Sequence, residues 1–86
     1  MQYGHQKMSL NAGDVVSVTL DKQANVILLD DTNYSRFRSG REYKYFGGLA
    51  TQSPANIVAP STGGWNLIVN TGGSGGSVRY STQVIR

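Results

Sequence analysis

Apolar and polar residues alternate along much of the chain, which is the period of a β-strand that buries one face. Residues 14–20, DVVSVTL, turn a set of aliphatic side chains to one side: Val16, Val18 and Leu20. Residues 77–85 alternate in the same way, and one of their faces holds Val78, Tyr80, Thr82 and Val84. Both stretches are therefore predicted as strands that pack on a core by one face.

Residues 25–30, NVILLD, depart from this alternation because both faces of the stretch would be apolar. A strand of this kind has to be covered on both sides, since either face would otherwise expose aliphatic side chains to water. The pattern therefore predicts a strand that is buried on its two faces.

The strand pattern stops at residues 31–40, DTNYSRFRSG, where the sequence favours one or two turns of helix. Tyr34 and Phe37 are three residues apart, so both would face the sheet. Gly40 is a candidate C-terminal stop because glycine adopts the left-handed conformation that ends many helices. We expect one short helical turn near residues 32–38 and no other helix.

Further stretches are predicted as strands: the region of His5, residues 42–46, residues 56–59 and residues 65–71. In EYKYF, residues 42–46, Tyr43 and Tyr45 would share one face, and Gly47–Gly48 would form a bulge or a bend after the strand. Prolines flank the stretch 56–59 and favour a sheet edge, and Trp65 is assigned to the core. Six to seven mostly antiparallel strands follow, in a single all-β domain over residues 1–86, packed as a small β-sandwich or a partly closed barrel.

The order of several sequence blocks resembles a small bacterial family catalogued as domain of unknown function 1883. The blocks are GDVV, NVILLDDTNYSRFRSG, YFGG, PANIVAPSTGGWN and the glycine-rich turn before VRYS. The resemblance implies a compact sandwich of jelly-roll-like character, found alone or as an N-terminal module, sometimes beside a TIR-type domain. Such neighbours imply sensing or self-association. The family has no established catalytic residues, so the resemblance assigns none to this chain.

Composition excludes most catalytic and metal chemistry. The 86 residues include no cysteine, one histidine and five dispersed carboxylates. Thiolate metal sites and cysteine nucleophiles are therefore excluded, and a histidine-based triad or zinc site lacks partners. We expect a protein that is not an enzyme and holds no cofactor or metal. No apolar run is long enough for a secretory signal or a spanning helix, so we expect a cytoplasmic protein without a membrane partner.

Residues 36–44, RFRSGREYK, combine four cations with aromatic residues and form the first candidate site: Arg36, Arg38, Arg41 and Lys44. Arg36 and Arg38 would point outward from the helical turn. Three interpretations remain open: a solvated rim around core aromatics, a surface for a protein or a small anionic ligand, and a single-stranded nucleic-acid surface. Asp30, Asp31 and Glu42 would offset part of the charge, and the mild net charge of +3 disfavours nucleic acid.

The stretch from Asn70 to Tyr80, NTGGSGGSVRY, is the second candidate, as a loop that could cradle a phosphate. A phosphate loop needs a following helix, and here the alternation of a strand follows instead. The loop is therefore predicted as a hairpin connection between the last two strands, and Arg79 remains as a candidate anion ligand. The acidic pair Asp30–Asp31 is assigned to the helix N-cap, with Asp31 or Thr32 as the capping residue, rather than to a metal site.

These patterns predict a binding or protein-interaction module of unknown ligand that senses a partner or self-associates. The partner would be an unknown protein, a small anionic ligand or a second copy of the chain. The alternative is binding of single-stranded nucleic acid or a small anion through the basic and aromatic surface. The residues assigned to this surface are Arg36, Arg38, Arg41, Lys44 and Arg79.

Overall fold

Seven strands and one helix make up the part of the chain that the computed structural model describes, residues 3–71 and 78–86. Their bounds in chain order are β1 Gly4–Leu10, β2 Val15–Leu20, β3 Ala24–Asp30, α1 Asp31–Arg38, β4 Phe46–Ala50, β5 Ala55–Val58, β6 Gly63–Asn70 and β7 Tyr80–Ile85. The strands near residues 14–20, 25–30, 56–59 and 65–71 and the helix near residues 32–38 are confirmed, as is the strand that contains His5.

The strands form two antiparallel sheets that pack face to face. The first sheet has the order β1-β6-β3-β4 and the second has the order β5-β2-β7. The two sheets remain separate, so the predicted all-β sandwich is confirmed and the barrel alternative is not. Long-range pairings dominate this topology, because β1 joins β6 across most of the chain.

The core lies between the two sheets, and the alternating residues supply it. In β2 the side chains of Val16, Val18 and Leu20 are buried, as the period of two predicts. Tyr80 and Val84 of β7 pack against the same core. Trp65 of β6 is 3% exposed, and its indole N–H donates to the carbonyl of Ser61 at 3.0 Å, which confirms its assignment to the core.

Strand β3 is buried on both faces, as its sequence predicts. Val26 and Leu28 face the core between the sheets, whereas Ile27 and Leu29 face outward. The outward pair is covered by aromatic side chains that include Tyr34 and Phe37 of α1: Tyr3, Tyr34, Phe37 and Tyr43. The helix therefore closes the outer face of the first sheet.

The acidic pair begins the helix. Asp30 is the N-cap, and its carboxylate accepts the backbone N–H of Asn33 at 2.7 Å. Asp31 is in the first turn, where the helix dipole favours a negative charge. The capping role of the pair is confirmed, and the cap lies just before the two candidates, Asp31 and Thr32, because β3 continues to Asp30.

The strand predicted at residues 42–46 is wrong. Strand β4 runs from Phe46 to Ala50 and contains Gly47–Gly48 within its pairing to β3, rather than after a strand. Tyr43 lies in the outward cluster and Tyr45 is 49% exposed, and the two rings lie 5.8 Å apart although neither residue is in a strand. The segment before β4 is held against α1, because the backbone N–H of Lys44 donates to Asn33 Oδ1 at 2.8 Å.

The hairpin predicted between the last two strands is also wrong. Strand β6 is central in the first sheet, whereas β7 is an edge strand of the second, so the chain between them changes sheets. Residues 72–77 of the glycine-rich stretch lie outside the described residues.

Helix α1 has 8 residues, and no described helix is long and apolar enough to cross a membrane.

Candidate functional site

The net positive charge of the chain is concentrated in one segment. Residues 36–44, called the basic segment below, carry four of the eight cations and one of the five carboxylates. Their net charge therefore equals the value of +3 for the whole chain, and the remaining residues balance to zero. A mild overall charge thus corresponds to a strong local one.

Two of the three carboxylates expected to offset this charge, Asp30 and Asp31, are engaged elsewhere, whereas Glu42 is part of the basic segment. Asp30 caps the helix, and Asp31 lies 3.7 Å from the ammonium of Lys7 and accepts the side-chain N–H of Asn66 at 2.9 Å. Both groups are at the N-terminal end of α1, and Asp31 lies about 8 Å along the axis from Arg36 and about 10 Å from Arg38. Within residues 3–71 and 78–86, the ion pairs are Lys7–Asp31 and Arg86–Asp14, so the cations of the basic segment form none.

Two hydrogen bonds tie the basic segment back against its own helix. The backbone N–H of Arg41 donates to the carbonyl of Arg36 at 2.9 Å, and that of Lys44 reaches Asn33 Oδ1. Gly40 permits this reversal because its φ of +73° is in the left-handed region. The segment therefore leaves the C-terminus of α1 and returns alongside it, which brings Lys44 back to Arg36.

A surface depression of about 390 Å³ lies where Arg36 and Lys44, near the two ends of the basic segment, come together. It is lined by Arg36, Glu42, Tyr43 and Lys44. The guanidinium is a planar fork that matches a carboxylate or a phosphate, and the ammonium adds a point charge. Glu42 would repel an anion, so the favourable contacts are on the side of Arg36 and Lys44. We call this feature the basic depression.

The other candidate arginines lie apart from the basic depression. The guanidinium of Arg38 stands 5.9 Å from the centre of the Tyr34 ring, a cation–π contact along the helix. Arg41 is exposed in the turn after α1. Arg79 precedes β7, in the second sheet, and its backbone bonds with Asp21. The core separates Arg79 from α1, so the structure brings Arg36 and Lys44 together and places Arg79 elsewhere.

A second polar cluster, which the sequence patterns did not assign, joins β1 to α1. Alternate residues of the β1 end contact every third residue of the helix: Tyr3 with Phe37, His5 with Tyr34 and Lys7 with Asp31. His5 stacks on Tyr34 with the ring centres 4.3 Å apart. The period of two in β1 and the period of three in α1 can both be read from the sequence. Only the pairing of β1 with β6 places these residues of β1 opposite those of α1.

Asn66, which is 1% exposed in central strand β6, organises this cluster. Its amide nitrogen donates to the carbonyl of Leu29 at 3.4 Å and to Asp31 Oδ1 at 2.9 Å, so its amide oxygen faces His5 Nε2 at 2.9 Å. An amide oxygen only accepts, so Nε2 carries the proton of neutral His5. Nδ1 then accepts the hydroxyl of Tyr34 at 3.2 Å.

The ionisation of Tyr34 suits this role as a donor. Burial raises the pKa of the Tyr34 phenol above its ordinary value of 10.0, and a hydrogen bond with Tyr3 raises it further, whereas the charge of Arg38 lowers it. A phenol with its ordinary pKa of 10.0 is already protonated at neutral pH, so Tyr34 has an O–H to donate to His5 Nδ1. The cluster holds the helix, and with it the basic segment, in a fixed place on the sheet.

We expect Asn66→Ala to lower the free energy of unfolding by about 1–3 kcal/mol, because it removes the hydrogen bonds that a buried side chain makes to His5, Leu29 and Asp31. Chemical denaturation measures this loss, and Asn56→Ala on the exposed edge strand β5 is the matched control with little effect. Imidazole ¹⁵N shifts would place the proton of neutral His5 on Nε2 in the parent protein. A proton on Nδ1 instead would contradict the hydrogen-bond chain.

No group of three or more histidine or acidic side chains among the described residues is placed to hold a metal ion. A family model described as "Domain of unknown function (DUF1883)" matches residues 1–86, the whole chain. No curated protein and no solved structure matches the chain significantly. The basic depression and the helix-holding cluster are therefore interpreted from their own chemistry.

Proposed function

We propose that this chain, which belongs to the DUF1883 family, is a non-enzymatic binding module that holds an anionic group of its partner in the basic depression. The observation that carries the proposal is the meeting of Arg36 and Lys44 beside Tyr43, neither cation having a carboxylate partner among the described residues. Cations left without a partner on a fixed surface are available to an external carboxylate or phosphate.

The size of the basic depression bears on the kind of partner. Its volume of about 390 Å³ is near the lower end of small-molecule sites, which span about 300–1,000 Å³. A carboxylate or phosphate group fits there as a small anion or as a side chain of a larger acidic partner. The bacterial source and the role in sensing that the family resemblance implied are part of the proposal, as is the cytoplasmic location expected from the lack of a targeting signal.

Single-stranded nucleic acid is the second candidate, and the exposure of Tyr45 favours it. The ring of Tyr45 is 49% exposed, and its centre lies 5.8 Å from that of Tyr43. An exposed ring beside cations suits a base that stacks while its phosphate meets Arg36 or Lys44. This candidate differs from the first in needing the ring as well as the charges.

We expect a fluorescent hexaglutamate peptide to bind the protein at low salt and the double variant Arg36→Glu/Lys44→Glu to bind it at least about tenfold more weakly. Fluorescence anisotropy measures both affinities. The matched control is Lys22→Glu/Arg79→Glu, which changes the net charge equally at exposed positions outside the basic depression. Equal losses of hexaglutamate affinity in the two double variants would show that overall charge explains the binding, and would refute a defined site.

Oligothymidylate in the same assay tests the second candidate. Nucleic-acid binding requires an affinity that falls steeply with salt and that Tyr45→Ser weakens. Tyr45→Ser should leave the hexaglutamate affinity unchanged, because Tyr45 does not line the basic depression. Absence of oligothymidylate binding at low salt, with hexaglutamate bound, would eliminate the nucleic-acid candidate and keep the first.

A further inference from the structure

Large apolar side chains are exposed directly after the basic segment. Five such side chains are exposed among the described residues: Tyr45 at 49%, Phe46 at 45%, Leu49 at 60%, Val58 at 55% and Ile85 at 48%. The first three fall within five consecutive positions, and the sequence around them has no charge after Lys44. The ring of Phe46 lies against Trp65 on the core side, whereas Tyr45 lies beside Tyr43 of the outward cluster and Leu49 pairs with Asn25 on the outward face of β3. Tyr45 and Leu49 are therefore the exposed apolar side chains next to the basic segment, whereas Val58 and Ile85 both pair with Val15 in the second sheet.

Three chain segments lie side by side at this edge of the first sheet. Helix α1 covers the outer face, the basic segment returns along the helix to Lys44, and β4 then pairs with β3 from Phe46 onward. Strand β4 has no partner on its other side within the first sheet. The exposed rings and the cations of the basic segment therefore border the same edge of the fold.

The chemistry of this edge matches an anionic lipid surface. Arginine and lysine attract acidic headgroups, and half-exposed aromatic rings favour the interface between headgroups and hydrocarbon. Glu42 is the one carboxylate of the basic segment, so the charge that meets a bilayer is strongly positive. Peripheral binding of this kind requires no spanning helix, and the absence of one among the described helices is compatible with it.

We propose that this edge docks the protein on a bilayer that contains anionic lipids, with the basic segment against the headgroups and with Tyr45 and Leu49 inserted at the interface. The inference rests on the proposed function, because the basic depression would receive a headgroup phosphate or carboxylate. It replaces the sequence-based expectation that the protein has no membrane partner. The apolar side chains are what distinguish a lipid surface from a soluble acidic ligand.

Vesicle sedimentation tests the proposal with the full chain. The protein should sediment with vesicles of phosphatidylcholine and phosphatidylserine in equal parts, should remain in solution with phosphatidylcholine alone, and should be released by salt. The double variant Tyr45→Ser/Leu49→Ser should lower the partition coefficient by at least about fivefold. This variant keeps Phe46, whose ring centre lies 6.0 Å from that of Trp65, and so retains this contact with the core.

The matched control is Val58→Ser/Ile85→Ser, which removes two equally exposed apolar side chains from the second sheet. Equal losses in the two double variants, or equal binding to both kinds of vesicle, would overturn the proposal. Binding of hexaglutamate without binding of acidic vesicles would overturn the lipid inference and leave the proposed function standing. Failure to bind either probe would remove both.

Discussion

Alanine in place of Leu28 is expected to lower the free energy of unfolding by about 2–5 kcal/mol, and alanine in place of Leu29 by a similar amount. The two residues are adjacent in β3 and point to opposite faces, yet both are 0% exposed. Leu28 fills the core between the sheets, whereas Leu29 lies beneath the aromatic side chains of α1. Denaturant-induced unfolding measures both losses.

The comparison between these neighbours tests the covering of the outer face. In a sandwich with a solvated outer face, one of two adjacent strand residues would be replaced at little cost. Val58→Ala, at a position that is 55% exposed, supplies the value expected for such a surface site, within about 0.5 kcal/mol of the parent protein. A Leu29→Ala variant as stable as Val58→Ala would show that α1 does not seal the sheet.

Gly47→Ala is the second substitution with a large expected effect, a loss of about 3 kcal/mol or more. A Cβ at this position would be forced onto the carbonyl oxygen of Val26, within the pairing of β3 and β4, and would stand 2.9 Å from Ile57 Cδ1. The φ of Gly47 is +105°, which disfavours any side chain. Thermal or chemical unfolding measures the loss.

Gly13→Ala separates the two causes. Gly13 has a similar φ of +92°, but a Cβ there would meet nothing within 4 Å. This control should lose about 1–2 kcal/mol from backbone strain alone. Similar losses in Gly47→Ala and Gly13→Ala would mean that the edge strand β4 shifts freely, and the close packing of its glycine against β3 would then be refuted.

The candidate site was only partly predictable. The four cations of the basic segment are evident in the sequence, but the interpretation of Asp30 and Asp31 as offsetting charges depended on their nearness along the chain. The structure directs Asp30 to the helix cap and Asp31 to Lys7 and Asn66. Nearness in sequence therefore overstated how far Asp30 and Asp31 offset the cations, because the acidic residues lie at the start of α1 and the cations lie at its end.

The aromatic residues of the same region show a similar limit. Alternation in EYKYF favours a strand with Tyr43 and Tyr45 on one face, yet the two rings lie 5.8 Å apart in a segment that is not a strand. The hydrogen bond from Lys44 to Asn33 holds the segment to the helix and prevents sheet pairing there. The alternation of neighbouring residues cannot show this hydrogen bond, because its acceptor, Asn33, lies eleven positions away.

The sequence by itself determined most of the strands, though not β4, where the single described helix lies, and that β3 needs cover on both faces. These properties follow from local periodicity, because the burial of apolar side chains imposes a period of two on strands and about three and a half on helices. The tertiary structure alone decided that β6 and β7 belong to different sheets. It also decided that His5 meets Asn66 and Tyr34, and that Arg36 and Lys44 share one depression while Arg79 does not. These outcomes depend on contacts between residues far apart in the chain, whose partners are selected by the packing of the whole fold rather than by any local pattern.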